Sequence, residues 1–335
     1  MLIRIGAYLA SALALSCQTA NPPEVTLAGC WSEVAKPPTG HLNDVFFLDE
    51  ATGWVAGDRG LAASTDGGRT WIDVDAGLPK EFWRGVLFLD RKRGFLVGGL
   101  ASPHEDGIPA RIAATQDGGR TWKDLTPAWA NLNAAFDRVQ FVSDQEGFVF
   151  GSRLLASSDR GGTWTQVGKG EAVFGLRSVF TSPKVGWRVD GTDLLRTKDG
   201  GHTWEATSFS RALPEDERKH NGPEALHFRD DRLGWVVTGW ANVYQTEDGG
   251  QTWQRMGHVG RGFVRQIIFT SPTEGWVLME QTDGSLSRIM KTTDGGRTWL
   301  ESHRSARLLN RMSFCREGIG WAVGDGVVLR YEKFR

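Results

Sequence analysis

The chain has 335 residues, with 39 Lys and Arg against 40 Asp and Glu, a formal charge of −1. That balance excludes bulk electrostatic binding to nucleic acid, and a chain this long exceeds most compact domains unless it is built from repeated units. Fifteen Trp and only three Cys are the other compositional anomalies.

The N-terminus, MLIRIGAYLASALALSC, carries Arg4, an apolar run Ile5–Leu15 and then small residues. The apolar run is too short for a membrane span, so residues 1–16 read as a signal peptide. Leu13-Ala14-Leu15-Ser16-Cys17 resembles a lipoprotein signal, which makes Cys17 the expected lipidation site and residues 17–29 a tether. This predicts an exported protein on the periplasmic side of a bacterial membrane, held there by its lipid.

From residue 30 onward the chain repeats. Six copies of Ser/Thr-x-Asp-x-Gly-x-Thr-Trp end at Trp71, Trp122, Trp164, Trp204, Trp253 and Trp299, spaced 51, 42, 40, 49 and 46 residues apart. The Asp carboxylate accepts backbone N–H groups in a tight turn and Gly takes positive φ without steric cost, so each copy predicts a β-hairpin. Asp66, Asp117, Asp159, Asp199, Asp248 and Asp294 are read as structural, because no copy has a second carboxylate or His at ligand spacing. Neither a metal nor a cofactor is expected.

Upstream of each copy runs a second phrase, first seen as NDVFFLDEATGWVAG (43–57) and repeated at 84–98, 137–151, 177–191, 224–239 and 265–279. It reads strand, polar turn, Gly-Trp/Phe strand. With the hairpin, each unit supplies four short strands, the pattern of a propeller blade, and no helix-period segment is expected outside the N-terminus. A seventh phrase, 310–324, lacks a hairpin after it; its missing strand is supplied by CWSEV (30–34), which aligns with TWIDV (70–74). The fold class is therefore all-β: residues 30–335 form a seven-bladed β-propeller of four-stranded antiparallel blades, the last closed by the N-terminal strand. Closure removes free sheet edges.

Cys30 and Cys315 both fall in the seventh blade. In an exported protein they could be a disulfide or two small buried thiols. Two intervening strands put them about 10–15 Å apart, beyond the ~7 Å Cα separation a bridge tolerates.

Strand alternation puts the Asp hairpins and the first-to-second-strand turns on one face. The second-to-third turns and the connections between blades, including the insertions 100–110 and 206–223, are on the other, where binding residues are expected. Innermost strands there begin with Arg84, Arg138, Arg177, Arg265 and Arg311, and Phe82, Trp83, Trp129, Phe136, Phe174 and Phe263 lie just before them. Only Trp83, Trp129 and Trp240 fall outside the repeat grammar. Arginine with aromatics suits a protein or acidic-peptide partner; alternatively these arginines pair with Asp44, Asp137 and Glu224 to line the pore.

The hairpin phrase is the Asp-box, or bacterial neuraminidase repeat. The fuller unit LNDVFFLDEATGWVAGDRGLAASTDGGRTW (42–71) resembles the photosystem II stability/assembly factor family, over all seven units. That resemblance implies a non-enzymatic, exported or lipidated monomeric propeller that holds a membrane-protein assembly intermediate through an arginine-rich patch. The alternative is an extracytoplasmic carbohydrate-binding or sialidase-type propeller. A sialidase needs an Arg triad, a Tyr–Glu pair and an Asp acid/base, and the sequence shows no such constellation: Tyr8 is in the signal, and Tyr244 and Tyr331 fall in third strands.

Overall fold

The computed structural model describes residues 29–334 except 75–76, 78–81, 101–107, 131–133, 283 and 285. Seven four-stranded antiparallel sheets form the ring. Blade 1 runs from strand Leu42–Phe47 to Ile72–Asp73 and blade 2 from Trp83–Phe88 to Lys123–Asp124. Blade 3 spans Phe136–Phe141 to Thr165–Gln166, blade 4 Ser178–Phe180 to Glu205–Ala206, blade 5 Pro223–Phe228 to Gln254–His258 and blade 6 Phe263–Phe269 to Leu300–Ser305. Blade 7 joins Leu309–Arg316, Ile319–Gly324 and Val328–Lys333 to the N-terminal strand Gly29–Glu33, with Trp31 opposite Tyr331. The closure expected from the sequence is therefore the one observed. The sheet order also leaves two strands between Cys30 and Cys315, and they form no disulfide.

The second repeated phrase is explained by one contact made seven times. The Phe at or near the end of each inner strand lies over the Gly of the Gly-Trp/Phe pair opposite; a Cβ on Gly53, Gly186 or Gly234 would sit 2.3, 2.7 and 2.3 Å from Phe47, Phe180 and Phe228. That Phe then stacks on the Gly-adjacent aromatic of the preceding blade. Trp54–Phe88, Trp187–Phe228 and Trp235–Phe269 have ring centroids 3.5, 3.7 and 3.7 Å apart and lie within 8° of parallel. The ring closes on the same pair, Trp321–Phe47, at 3.5 Å. The Asp-box Trp meets the same Phe edge-on, as in Phe47–Trp71 and Phe228–Trp253. In blade 7, which has no Asp-box, Trp31 takes that place against Phe314 at 6.1 Å.

Each Asp-box folds on its own hydrogen bonds. In blade 1, Asp66 Oδ1 accepts from the Thr70 N–H (2.9 Å) and Oδ2 from the Thr70 hydroxyl (2.6 Å), while Ser64 Oγ accepts from the Gly68 N–H (2.8 Å). The five other boxes repeat this pattern. The first glycine position is left-handed, with φ 78° at Gly67; blade 3 has Arg160 there at φ 66°, and its guanidinium reaches Asp144 at 2.6 Å. The Thr hydroxyl bond is the main reason the Asp66, Asp117 and Asp199 carboxyls are held down to about 2.

One expectation fails. The connection between blades 4 and 5 contains two short helices, Phe209–Ala212 and Glu215–His220. At four and six residues they are too short to show a helical period. The insertion is fastened by side chains instead. Phe209 and Leu213 are buried against Tyr244 and Trp187. Buried Glu217 accepts from Asn242 Nδ2 and the Tyr244 hydroxyl, both 3.0 Å, and from the Thr238 hydroxyl.

Two outcomes are expected. Gly234→Ala drives a methyl into Phe228, and overpacking of this kind costs about 1–3 kcal/mol, read as a lower urea midpoint at unchanged slope. The Asp-box carboxyls sit below their unfolded value near 4, so they stabilise the fold above about pH 4, and that contribution is lost as the pH falls through about 2. Circular dichroism across that window will show stability falling, and Asp66→Asn will flatten the fall.

Candidate functional site: the connection face

Contacts confirm how the loops divide. Trp129, in the connection between blades 2 and 3, is stacked under Arg153, in the second-to-third-strand turn of blade 3, at 4.7 Å. On the other face the Asp-box Gly67 N–H bonds the Ala51 carbonyl of a first-to-second-strand turn (2.8 Å).

The five arginines do not form a single ring. Most inner strands bulge near their start; Arg84 and Arg265 are the extra residues of two bulges. Arg138 and Arg311 sit one position later, at the site Asp44 occupies in blade 1. Arg177 is not in a strand: it ends the 3-10 turn Gly175–Arg177 and is exposed. A bulge re-aims a side chain, so one arginine per strand start yields different surroundings.

Arg138 is a structural residue. Its guanidinium donates to the Gly175 (2.9 Å) and Ser178 (3.2 Å) carbonyls of blade 4, and desolvation holds it down to about 10. It belongs to a series of polar side chains that bind each inner strand to the next. Asp44 Oδ2 accepts from the Val86 N–H (2.9 Å), and Asn310 Nδ2 donates to the Leu42 carbonyl (2.7 Å). Gln140 donates to the Phe180 carbonyl (2.7 Å) and accepts its N–H (3.2 Å), and Gln266 does the same with Met312. The pairing alternative raised for the arginines therefore applies at Arg265 (held by Glu280, Nε–Oε2 2.8 Å) and partly at Arg311, whose Nε lies 3.9 Å from Asp44, whereas Arg138 is held by backbone carbonyls. Burial is the main cause that pushes the Asp44 and Asp137 carboxyls up, against the pull of nearby arginines. It also takes His227, on the same inner ring, down to about 4.

The aromatics divide as well. Trp83 is 3% exposed and packs with Trp54, Val86 and Phe88, so it holds blades 1 and 2 together rather than facing solvent. Phe136 is fully buried. Trp129, Phe174, Trp240 and Phe263 are all exposed, by 37–55%. Phe174 lies three residues before Arg177, and Phe263 opens the strand that carries Arg265. Trp240 had been marked only as an indole outside the repeat; it projects from the second-to-third-strand turn of blade 5. Among the described residues no group of three or more His, Cys, Asp and Glu is placed to hold a metal. Cys17 and most of the 100–110 insertion lie outside the described residues.

No protein-family model matches the chain. Over 345 residues it is 30% identical to the photosystem II stability/assembly factor HCF136, chloroplastic, of Cyanidioschyzon merolae, an alignment covering 82% of this chain and 76% of that protein. The chain belongs to the photosystem II stability/assembly factor family. It is also 26% identical over 291 residues to the photosystem II assembly lipoprotein Ycf48 of Picosynechococcus sp., covering 75% of this chain and 85% of the relative. Among solved structures, YCF48 bound to D1 peptide superposes with a TM-score of 0.72 at 17% identity, over 93% of this chain and 97% of that one. A GH74 xyloglucanase from Xanthomonas campestris gives a TM-score of 0.67 at 12% identity, over 90% of this chain and 53% of the enzyme. At these identities the structural likenesses establish the seven-bladed fold alone.

Proposed function

We propose that this member of the family is a non-enzymatic assembly scaffold, exported and lipid-anchored at Cys17 on the periplasmic side. It binds an extramembrane segment of a membrane-protein assembly intermediate through its connection face. The observation that carries the reading is the composition of that face. Arg177 follows the exposed Phe174 by three residues and Arg265 the exposed Phe263 by two, and Trp129 and Trp240 are exposed as well, the mix of guanidinium and aromatic anchors that dominates protein-binding hot spots. Trp83, Arg138 and Arg311 support the face from within. The relative whose name includes a lipoprotein supports the anchor.

Binding and folding separate cleanly at the exposed residues. The triple variant Arg177→Glu, Phe174→Ala, Phe263→Ala is expected to keep the wild-type melting temperature and to lose at least ten-fold in co-purification of a membrane-protein partner from detergent-solubilised membranes. Wild-type recovery of the partner would overturn this assignment of the surface. For the anchor, Cys17→Ser is expected to move the protein from the membrane pellet to the soluble fraction after cell lysis; a variant that still sediments with membranes rules out acylation there.

A further inference from the structure

Blade 5 carries a turn under strain. Between strands Gly234–Thr238 and Asn242–Thr246 the chain reverses through Gly239, Trp240 and Ala241. Ala241 is 1% exposed and stands at φ 58°, one of two non-glycine residues among those described in the left-handed region. Its N–H bonds the Thr238 carbonyl at 2.7 Å and closes the turn. Thr238 and Asn242, on either side, both donate to Glu217 of the insertion. One buried carboxylate thus clamps both feet of the turn. Strain of this kind persists only where the surroundings over-determine it, and it gathers at ligand clamps. What this turn presents is Trp240, 43% exposed.

Two acceptor oxygens converge beside it. Gly239 precedes Trp240, and a Cβ there would stand 2.7 Å from Asn221 Oδ1 and 3.2 Å from Glu224 Oε1. Asn221 is fixed by its N–H on the Glu217 carbonyl (2.7 Å), and Glu224 is the extra residue of the bulge in strand Pro223–Phe228. Both side chains are half-buried, and neither makes a hydrogen bond or ion pair among the described residues. No cation nearby in the insertion takes up the carboxylate: Lys219 is on Glu215 at 2.6 Å, and Arg218 is exposed. An ionised carboxylate can only accept. A metal of the calcium type asks for about six to eight oxygens, more than two side chains supply. An ammonium or guanidinium is met by a carboxylate, one further acceptor and an aromatic face.

We propose that Asn221, Glu224 and Trp240 form a site for a basic side chain, lysine or arginine, of the protein segment bound at the connection face. Glu224 supplies the charge, Asn221 the second acceptor and Trp240 the aromatic wall, and the bare backbone at Gly239 leaves the room. The proposal rests on the scaffold reading for the bearer of that side chain, not for its capture.

The test is heteronuclear NMR of the isotope-labelled full-length protein at constant ionic strength. It is read at the indole N–H of Trp240, assigned by its absence from Trp240→Phe. The probes are acetyl-lysine amide and acetyl-arginine amide, both blocked at the α-nitrogen, with acetyl-norleucine amide as the uncharged control. At least one basic probe is expected to shift that resonance saturably while the control does not. Glu224→Gln, which breaks no hydrogen bond or ion pair among the described residues, is expected to weaken that probe at least ten-fold. Gly239→Ala, which puts a methyl where the two oxygens converge, is expected to do the same. No saturable shift with either basic probe, an equal shift with the control, or undiminished binding in Glu224→Gln overturns the proposal. The Arg177/Phe174/Phe263 variant leaves this site intact, so probe binding and partner capture fail independently.

Discussion

A phenyl ring needs a glycine beneath it, and the ring of blades is built on that requirement. Each inner strand carries a Phe at or near its end, and the residue opposite must be Gly because a Cβ there would fall inside contact distance of the ring. The aromatic next to that Gly reaches the following blade's Phe, and the Asp-box Trp closes on the same Phe from its edge. Face-to-face and edge-on aromatic contacts of this kind bury large apolar area at every joint. Three residues from three places in the repeat thus make one joint, and seven joints make the propeller. The polar layer inside, from Asp44 through Gln140 to Asn310, only has to align strands that the aromatics already hold.

This explains why the fold was legible in the sequence. The Phe, Gly, Trp and Asp-box positions are fixed by short-range geometry, so they recur at visible spacing, and even the missing seventh hairpin could be matched to residues 30–34. The site was legible only in part. Strand alternation separated the two faces, but a bulge adds one residue without changing the pattern of residue types. Arg84 and Arg138 therefore look equivalent in sequence and are offset by one position in space. Trp83 and Trp129 both stand outside the repeat; one is sealed between blades and the other projects, a difference set by tertiary packing. The helices at 209–220 were missed because buried contacts hold them, above all those of Glu217, rather than any period of their own.

The two faces answer to different constraints. On the Asp-box face each box Asp is spent on its own turn, and its substitution acts through folding. On the connection face the loops differ in length from blade to blade, and the exposed aromatics do not recur at a fixed place in the repeat.

Trp31 and Tyr331 stand opposite each other in the last blade, with nearly the whole chain between them. The first described strand is therefore paired with the last. Six blades can assemble in order, each on its predecessor, but the seventh must wait for the final residues, and its pairing has the largest sequence separation in the molecule. Contacts of that kind are slow to form. Ring closure therefore reports on the whole chain: a product truncated before Val328 keeps an open sheet edge at its first strand and is exposed to chaperones and proteases in a way that the finished ring is not.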